Sequence, residues 1–297
     1  MSDRLRHLDA FLRVLDHGSL SGAARELGVG QSTVSKWLAS LERELGAPLL
    51  DRTTRSLRLT ADGEALRPYA RRLVDGWSDA RAAVGVAERV EGPLRVSLPT
   101  VFGELHVLPH VGGFLDAHPG VALDLALSDR YVALVEEGFD LALRIGGTPD
   151  STLRARRLAS PPRRLVASPA YLARRGRPEH PRELSGHEAL VHSGVRKTVW
   201  TFERGGTRVR ATVRGRARAD HSGALRQLCL QGQGIALLAD WLVGPDLDHG
   251  RLQLLMDDWT TAPAPILALL PPSRQVPRRV RAFIEHLQGA WPWTDGP

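Results

Sequence analysis

The stretch Gly18-Ser-Leu-Ser-Gly-Ala-Ala-Arg-Glu-Leu-Gly-Val-Gly-Gln-Ser-Thr-Val-Ser-Lys36 decides how the rest of the chain is read. Ser19 is placed to cap a short helix from Leu20 to Leu27, in which Leu20, Ala23, Ala24 and Leu27 recur at helical spacing and Gly28 supplies the stop. A second helix is expected from Gln31 to Glu44. Its apolar positions Val34, Trp37, Leu38, Leu41 and then Leu45 form one stripe, leaving Gln31, Ser32, Thr33, Ser35 and Lys36 on the opposite face near its N-terminus. Two helices joined in this way form a helix-turn-helix. Amides and hydroxyls at the start of the second helix suit base edges and phosphates in a major groove, and the lysine neutralises backbone charge.

On the N-terminal side, Leu8, Phe11, Leu12 and Leu15 repeat at i, i+3, i+4 and i+7, so an amphipathic helix ending near His17-Gly18 completes a three-helix core. On the other side, Leu45-Gly46-Ala47-Pro48 breaks the pattern, and Leu49-Leu50 leads into a segment carrying Arg52, Thr53, Arg55 and Arg58. Alone, those arginines read equally as a solvated turn or as a basic hairpin. Directly after a helix-turn-helix the second reading is preferred: a wing lying along phosphates. From Asp62 to about Arg89 one long helix is expected, with Leu66, Ala70, Leu73, Trp77, Ala80, Val84 and Ala87 alternately four and three residues apart. So narrow a seam calls for a partner helix, whereas a helix lying on its own core carries a broader stripe. A dimer would present two recognition helices to symmetric half-sites.

After Glu91-Gly92-Pro93 the composition changes. Strands are expected at 94–98, 121–127 and 140–145, with a helical segment through Leu105, Leu108, Val111 and Phe114 and a short helix over 132–137. That alternation predicts an α/β domain built on a parallel sheet. Further strands are expected at 164–167, 199–202, 209–213, 235–238 and 266–270, and helices at 224–231 and 276–287.

Two sets of residues carry a family resemblance. Ala23-Ala24-Arg25-x-Leu27-x-Val29-x-Gln31-Ser32-x-Val34-Ser35, followed by Leu41-Glu42-x-Glu44-Leu45-Gly46, Leu49, Arg52 and Leu59-Thr60-x-x-Gly63, resembles the N-terminal domain of LysR-type transcriptional regulators. It departs from the family pattern at Gly30, where a Ser or Thr cap is usual, and at Leu50, where Phe is usual. The runs Leu134 to Gly146, Val166 to Leu172 and Gly232-x-Gly234-Ile235-Ala236-Leu237-Leu238 are similar to the effector-binding domain of the same family. The resemblance spans essentially the whole chain.

It implies a multidomain fold: an all-α winged helix-turn-helix at 1–61, a linker and dimerisation helix at 62–91, and an α/β effector-binding domain at 92–297. That domain would comprise two Rossmann-like subdomains of the type II periplasmic-binding-protein kind, the first at about 92–162 and 268–297, the second at about 163–267. The family reading puts a small, anionic or aromatic effector in the cleft between them. Strand ends and helix N-termini then nominate Thr100, Ser128, Ser168 and Ser222 for its rim, Val101 and Phe102 for an apolar wall, and Arg144 for a carboxylate partner. Taken singly, each Ser or Thr is better explained as a helix cap, and only jointly do they make a rim; Arg144 is equally explained by a structural salt bridge. The partners so implied are double-stranded promoter DNA, the effector, a second copy of the chain in a homodimer or homotetramer, and RNA polymerase; the expected place of action is the cytoplasm, with no membrane contact.

Composition agrees with these expectations and narrows the alternatives. The 297 residues are enough for two or three domains, and the formal charge of +7 suits a polyanionic partner. Residues 1–62 hold nine Lys and Arg against eight Asp and Glu, so the excess of cations lies further along the chain. The single cysteine, Cys229, excludes an internal disulfide or a multi-cysteine zinc site, and its apolar helical neighbours mark a buried structural thiol. No apolar run approaches the ~18 residues of a membrane span. Enzyme motifs fail on inspection. Gly232-x-Gly234 lacks the third glycine of a dinucleotide fingerprint, and Gly30-Gln31-Ser32-Thr33-Val34 ends in Val where a nucleophile elbow has Gly. Asp220-His221-Ser222 are adjacent, and adjacent residues seldom converge as a triad, so they read as a cap or pocket rim. His106 and His110 flank Pro109 and lack a third ligand nearby. No catalytic set, metal or cofactor is expected.

Overall fold

The apolar periodicity of the N-terminal third closes one small core. In a computed structural model, which describes residues 3–53, 56–83, 90–147, 153–193, 199–272 and 276–293, helices α1 (Asp3–His17), α2 (Leu20–Glu26) and α3 (Gln31–Leu45) bury Phe11, Leu12, Val34, Leu38 and Leu41 against one another. Leu45, the last residue of the expected stripe, stays exposed. Ser19 caps α2 by accepting a hydrogen bond from the Gly22 N–H at 3.1 Å. Replacing it, as Ser19→Ala, is expected to cost about 1 kcal/mol, read as a lower unfolding temperature of this core.

The hairpin is present. β1 (Leu50–Thr53) pairs antiparallel with β2 (Ser56–Leu59), Leu50 opposite Leu59 and Asp51 opposite Arg58. The Glu42 carboxylate at the end of α3 accepts the N–H groups of Leu49 and Leu50 at 2.9 and 3.3 Å, fixing the hairpin relative to α3. Next comes α4 (Ala61–Ala83), whose start is clamped onto the hairpin base. Thr60 Oγ1 donates to Pro48 O at 2.6 Å and accepts from Gly63 N–H at 3.0 Å. A Cβ on Gly63 would lie 2.2 Å from Leu49 O, which is why glycine stands in the Leu59-Thr60-x-x-Gly63 signature.

The remainder folds around two five-stranded sheets. The first unit holds β3 (Glu91–Leu98), α5 (Thr100–His106), α6 (Leu108–Ala117), β4 (Gly120–Leu127), β5 (Leu141–Ile145) and β6 (Arg154–Ala159). The second holds β7 (Arg163–Ala167), α7 (Pro169–Arg175), a 3-10 turn at Pro181–Gly186, β8 (Ala189–His192), β9 (Val199–Arg204) and β10 (Thr207–Thr212). It continues through β11 (Arg218–Ala219), α8 (Ser222–Leu230), β12 (Ile235–Ala239), α9 (Asp240–Asp248), β13 (Gln253–Leu254) and β14 (Thr260–Thr261). The chain then returns to the first unit as β15 (Ile266–Leu270) and α10 (Arg278–Ala290).

Strand order is β4-β3-β5-β15-β6 in the first sheet and β11-β8-β12-β7-β13 in the second, with β10-β9-β14 as a separate antiparallel layer. Neither large sheet is wholly parallel, contrary to the expectation from the strand and helix rhythm. β15 runs antiparallel to β5 and β6, and β7 antiparallel to β12 and β13. The reversed strands are those next to the two crossings between units, and the crossings lie side by side, with Ala264 N–H donating to Pro161 O at 3.0 Å. β15 belongs to the first sheet over its whole length, so the return falls before Ile266 and not within the strand. The expected helix over 132–137 is absent, and residues 134–138 form turns instead. Gly138, the last of these, stands at φ +71°, a conformation that favours glycine, and ends that segment before β5.

Candidate functional site

The N-terminal turn of α3 is built as a contact surface. Gln31, Ser32 and Lys36 are exposed and Thr33 and Ser35 half-buried, while one residue away Val34 is fully buried. The turn before it is held by hydrogen bonds from Leu27 N–H to Ala23 O and from Val29 N–H to Ala24 O, with Gly28 at φ +66°. Gly30 caps α3 without a side-chain acceptor, so its cap leaves the Gln31 and Ser32 N–H groups at the positive end of the helix dipole, while Thr33 N–H turns back to Gly30 O at 2.9 Å. The departure at Gly30 therefore leaves those donors open to a phosphate. In the hairpin, Arg58 is exposed on β2 and Arg52 and Thr53 lie on β1, whereas Arg55 and the tip fall outside the described residues.

The expected seam on α4 divides. Ala70 is fully buried in the core of the same chain and is not available as a free dimer contact, while Leu66 is half-buried against that core. The cause is that α4 packs on α1, where Arg71 and Asp16 pair at 3.1 Å. Leu73 and Trp77 remain exposed, with Tyr69 and Ala80 on the same side of the helix. Val84 and Ala87 lie outside the described residues.

Between the two α/β units the structure brings together some of the nominated effector residues and disperses others. Thr100 and Val101 open α5, Ser128 follows β4 on the neighbouring strand, and Ser222 opens α8 from the other unit. His221 caps α8, accepting from Ala224 N–H at 3.2 Å, while its Nε2 lies 3.7 Å from Asp129 of the first unit. Gly223 is what lets the units approach: a Cβ there would lie 2.9 Å from Val101. Asp129 escaped the sequence reading because its partner is more than ninety residues away along the chain.

Three nominations are corrected. Phe102 has no exposed surface and is a core residue, ringed by His106, Trp241, Trp291 and Trp293. Ser168 is buried as the cap of α7, and because β7 runs antiparallel to β12 it stands at the opposite end of the second sheet from Ser222. Arg144 is buried and donates to Ser97 Oγ at 2.9 Å, Arg130 O at 2.8 Å and Leu143 O at 2.6 Å, so backbone and hydroxyl oxygens hold its guanidinium. Burial pushes it below the usual arginine range.

Cys229 is fully buried, its Sγ 3.5 Å from Val166 O and Gly234 O, and burial pushes the thiol up to about 12. Among the described residues no group of three or more His, Cys, Asp or Glu is gathered as a metal site, and no helix is long and apolar enough to cross a membrane.

A helix-turn-helix with a hairpin beside it, joined by a long helix to an α/β domain of two units, defines a DNA-binding regulator. The comparisons with known proteins make the class specific. Residues 5–64 match the bacterial regulatory helix-turn-helix model of the lysR family, and residues 87–292 match the LysR substrate binding domain. The HTH-type transcriptional regulator PtxR of Pseudomonas aeruginosa is 37% identical over 289 residues, covering 96% of this chain and 92% of PtxR. CrgA of Neisseria meningitidis is 36% identical over 294 residues, covering 97% of both. A solved structure of CrgA, a LysR-type transcriptional regulator, aligns with TM-score 0.59 and 34% identity over 96% of this chain and 97% of that one. Full-length AphB, the Vibrio cholerae virulence activator, aligns with TM-score 0.58 and 28% identity over 96% and 98%. The chain belongs to the LysR-type transcriptional regulators, DNA-binding proteins with an effector-binding domain and not enzymes.

Proposed function

We propose that Gln31, Ser32, Thr33, Ser35 and Lys36 read base edges and adjacent phosphates from the major groove, and that Arg52, Thr53, Arg55 and Arg58 of the hairpin lie along the backbone. One observation carries this reading: an exposed polar turn with uncovered N–H groups stands directly over the buried Val34 and Leu38, so its position is fixed by the core. The exposed Tyr69, Leu73, Trp77 and Ala80 stripe of α4 supplies the contact with a second copy, in a homodimer or homotetramer. The cleft edged by Thr100, Val101, Ser128 and Ser222, with Asp129 and His221, takes the effector, a small anionic or aromatic molecule. N–H groups at the start of α8 favour its anionic group. Closure of the cleft alters the angle between the units, and through α4 the spacing of the two recognition helices and the bend they impose on a promoter. For function the chain divides at 1–61, 62–91 and 92–297, and it works in the cytoplasm, where promoter DNA and RNA polymerase are found.

Binding to the DNA upstream of its own gene, against shuffled DNA across a salt series, tests the assignment. Arg58→Ala is expected to weaken binding to both DNAs and to reduce the slope of log K against log salt by about 0.9. Gln31→Ala is expected to cost about 1–3 kcal/mol on the native fragment with little change on shuffled DNA. Equal losses on both DNAs for both variants would overturn the division of roles.

A further inference from the structure

The long helix does not lie flush on the first α/β unit. A cavity of about 500 Å³ separates α4 from the surface around β3 and β4, a size typical of small-molecule sites. One wall is α4, with Arg67, Arg71, Arg72 and Gly76; the other is mainly apolar, with Leu94, Leu123, Leu134 and Phe139.

The charges on this lining are not all matched. Asp16, Asp75, Asp124 and Asp140 face the cavity, and each already has an arginine. Asp16 pairs with Arg71 at 3.1 Å, Asp124 with Arg95 at 2.9 Å, and Asp75 and Asp140 with Arg279 at 2.7 and 3.0 Å. Among the described residues Arg67 pairs with Glu64 on its own helix, at 3.3 Å, and its guanidinium lies over Gly138. Arg72 rests on the exposed ring of Tyr69, 4.5 Å from its centroid, and no carboxylate of a described residue lies within ion-pair distance of it. The cavity thus combines an apolar floor with one rim on which Arg72 has no carboxylate partner among the described residues and Arg67 has only the exposed Glu64.

We propose that this junction is a second small-molecule site, separate from the cleft between the α/β units. It takes a compact apolar body bearing one negative charge, of the aryl or alkyl carboxylate or sulfonate class. The anion faces Arg72 and Arg67, and the apolar body packs on Leu123 and Phe139. Such a ligand touches α4 and the effector-binding unit together, so it binds the docked arrangement better than an undocked one and shifts the population accordingly.

Gly76 provides the direct test. A Cβ there meets nothing within 4 Å, and glycine is a poor residue inside a helix, so Gly76→Leu fills the cavity while favouring α4. The probes are anilinonaphthalene sulfonate and its neutral analogue phenylnaphthylamine, titrated into the full-length protein by fluorescence, with circular dichroism confirming helix content. Wild type is expected to bind both saturably. Gly76→Leu is expected to lose both, and Arg72→Gln to weaken the sulfonate about ten-fold while leaving the neutral dye unchanged. Wild-type binding in folded Gly76→Leu overturns the proposal, as does equal weakening of the two dyes by Arg72→Gln, or loss of the dye in Leu73→Ser, which would place it on the exposed stripe. If Gly76→Leu fails to fold, the two-dye comparison in Arg72→Gln decides.

Discussion

Replacing Arg279 by Met is expected to lower the unfolding free energy of the α/β part by about 3–5 kcal/mol, because it leaves two buried carboxylates without their cation. The guanidinium is only 6% exposed and forms a two-pronged contact, Nη1 and Nη2 each donating to an Asp75 oxygen at 2.7 Å, while Nη2 also donates to Asp140 at 3.0 Å. The other oxygen of Asp140 accepts the Arg95 N–H at 2.9 Å. Asp75 belongs to α4, Asp140 precedes β5 and Arg279 opens α10, so one side chain ties the long helix to the first α/β unit.

The pH dependence of this loss has a definite sign. Burial pushes the Asp140 carboxyl above its ordinary value, and Arg279 is the chief influence pulling it back down. A carboxyl raised in the folded state binds protons more readily folded than unfolded, so its contribution to stability falls as pH rises through its folded pKa. Removing Arg279 raises it further. The deficit of Arg279→Met is therefore full at neutral pH and shrinks as pH falls toward about 4, the unfolded range of an aspartate. Urea denaturation at several pH values checks this, and adding Asp75→Asn and Asp140→Asn to the same background is expected to recover part of the loss at pH 7. A deficit independent of pH would mean that Arg279 acts through packing alone.

The second large effect is expected at Phe102. Its ring lies 5.2 Å from Trp241, 5.3 Å from Trp291 and 5.4 Å from His106, mostly in edge contacts. Trp241 comes from α9 of the second unit and Trp291 from the segment after α10, where its Nε1–H donates to His106 O at 2.8 Å. The cluster joins the two units. Burial also holds the His106 imidazole below its usual pKa, so the cluster is entered by a neutral ring. Phe102→Ala is expected to cost about 3–5 kcal/mol through the cavity it leaves. Calorimetry and effector binding on the same samples separate a core role from a cleft role. The core role predicts a lower unfolding temperature with effector affinity kept in the folded protein. A weakened affinity at unchanged stability would return Phe102 to the cleft wall.

The contrast between Phe102 and Val101 shows where reading the sequence stops. Both follow β3, and both are expected in a cleft wall; the helical turn of α5 points Val101 at Gly223 of the second unit and Phe102 into the aromatic core. Ser168 failed for a different reason. A serine after a strand marks the cleft only if the strand runs the right way, and the direction of β7 is fixed by pairing with β12, some seventy residues later. β6 was missed because its Arg154, Arg156 and Arg157 are exposed and give no apolar alternation. Arg279 was missed although it shares a face with Val280, Phe283 and Ile284 on α10, and a lone charge on an apolar stripe is a signal that its partners are buried too.

What the sequence determined by itself is whatever depends on neighbours a few residues apart. The Ser19 cap, the Gly28 turn and the buried stripe and polar opening of α3 are all of that kind, and the helix-turn-helix followed from them. Tertiary structure alone decided the rest: the mixed strand directions, the division of the α4 seam between its own core and an exposed face, the Asp129 and His221 meeting, the Arg279 tie and the junction cavity. These depend on pairings between residues tens to hundreds of positions apart, where local periodicity carries no information about which partner is near, and only the closing of the two sheets and the docking of α4 fixes the distance.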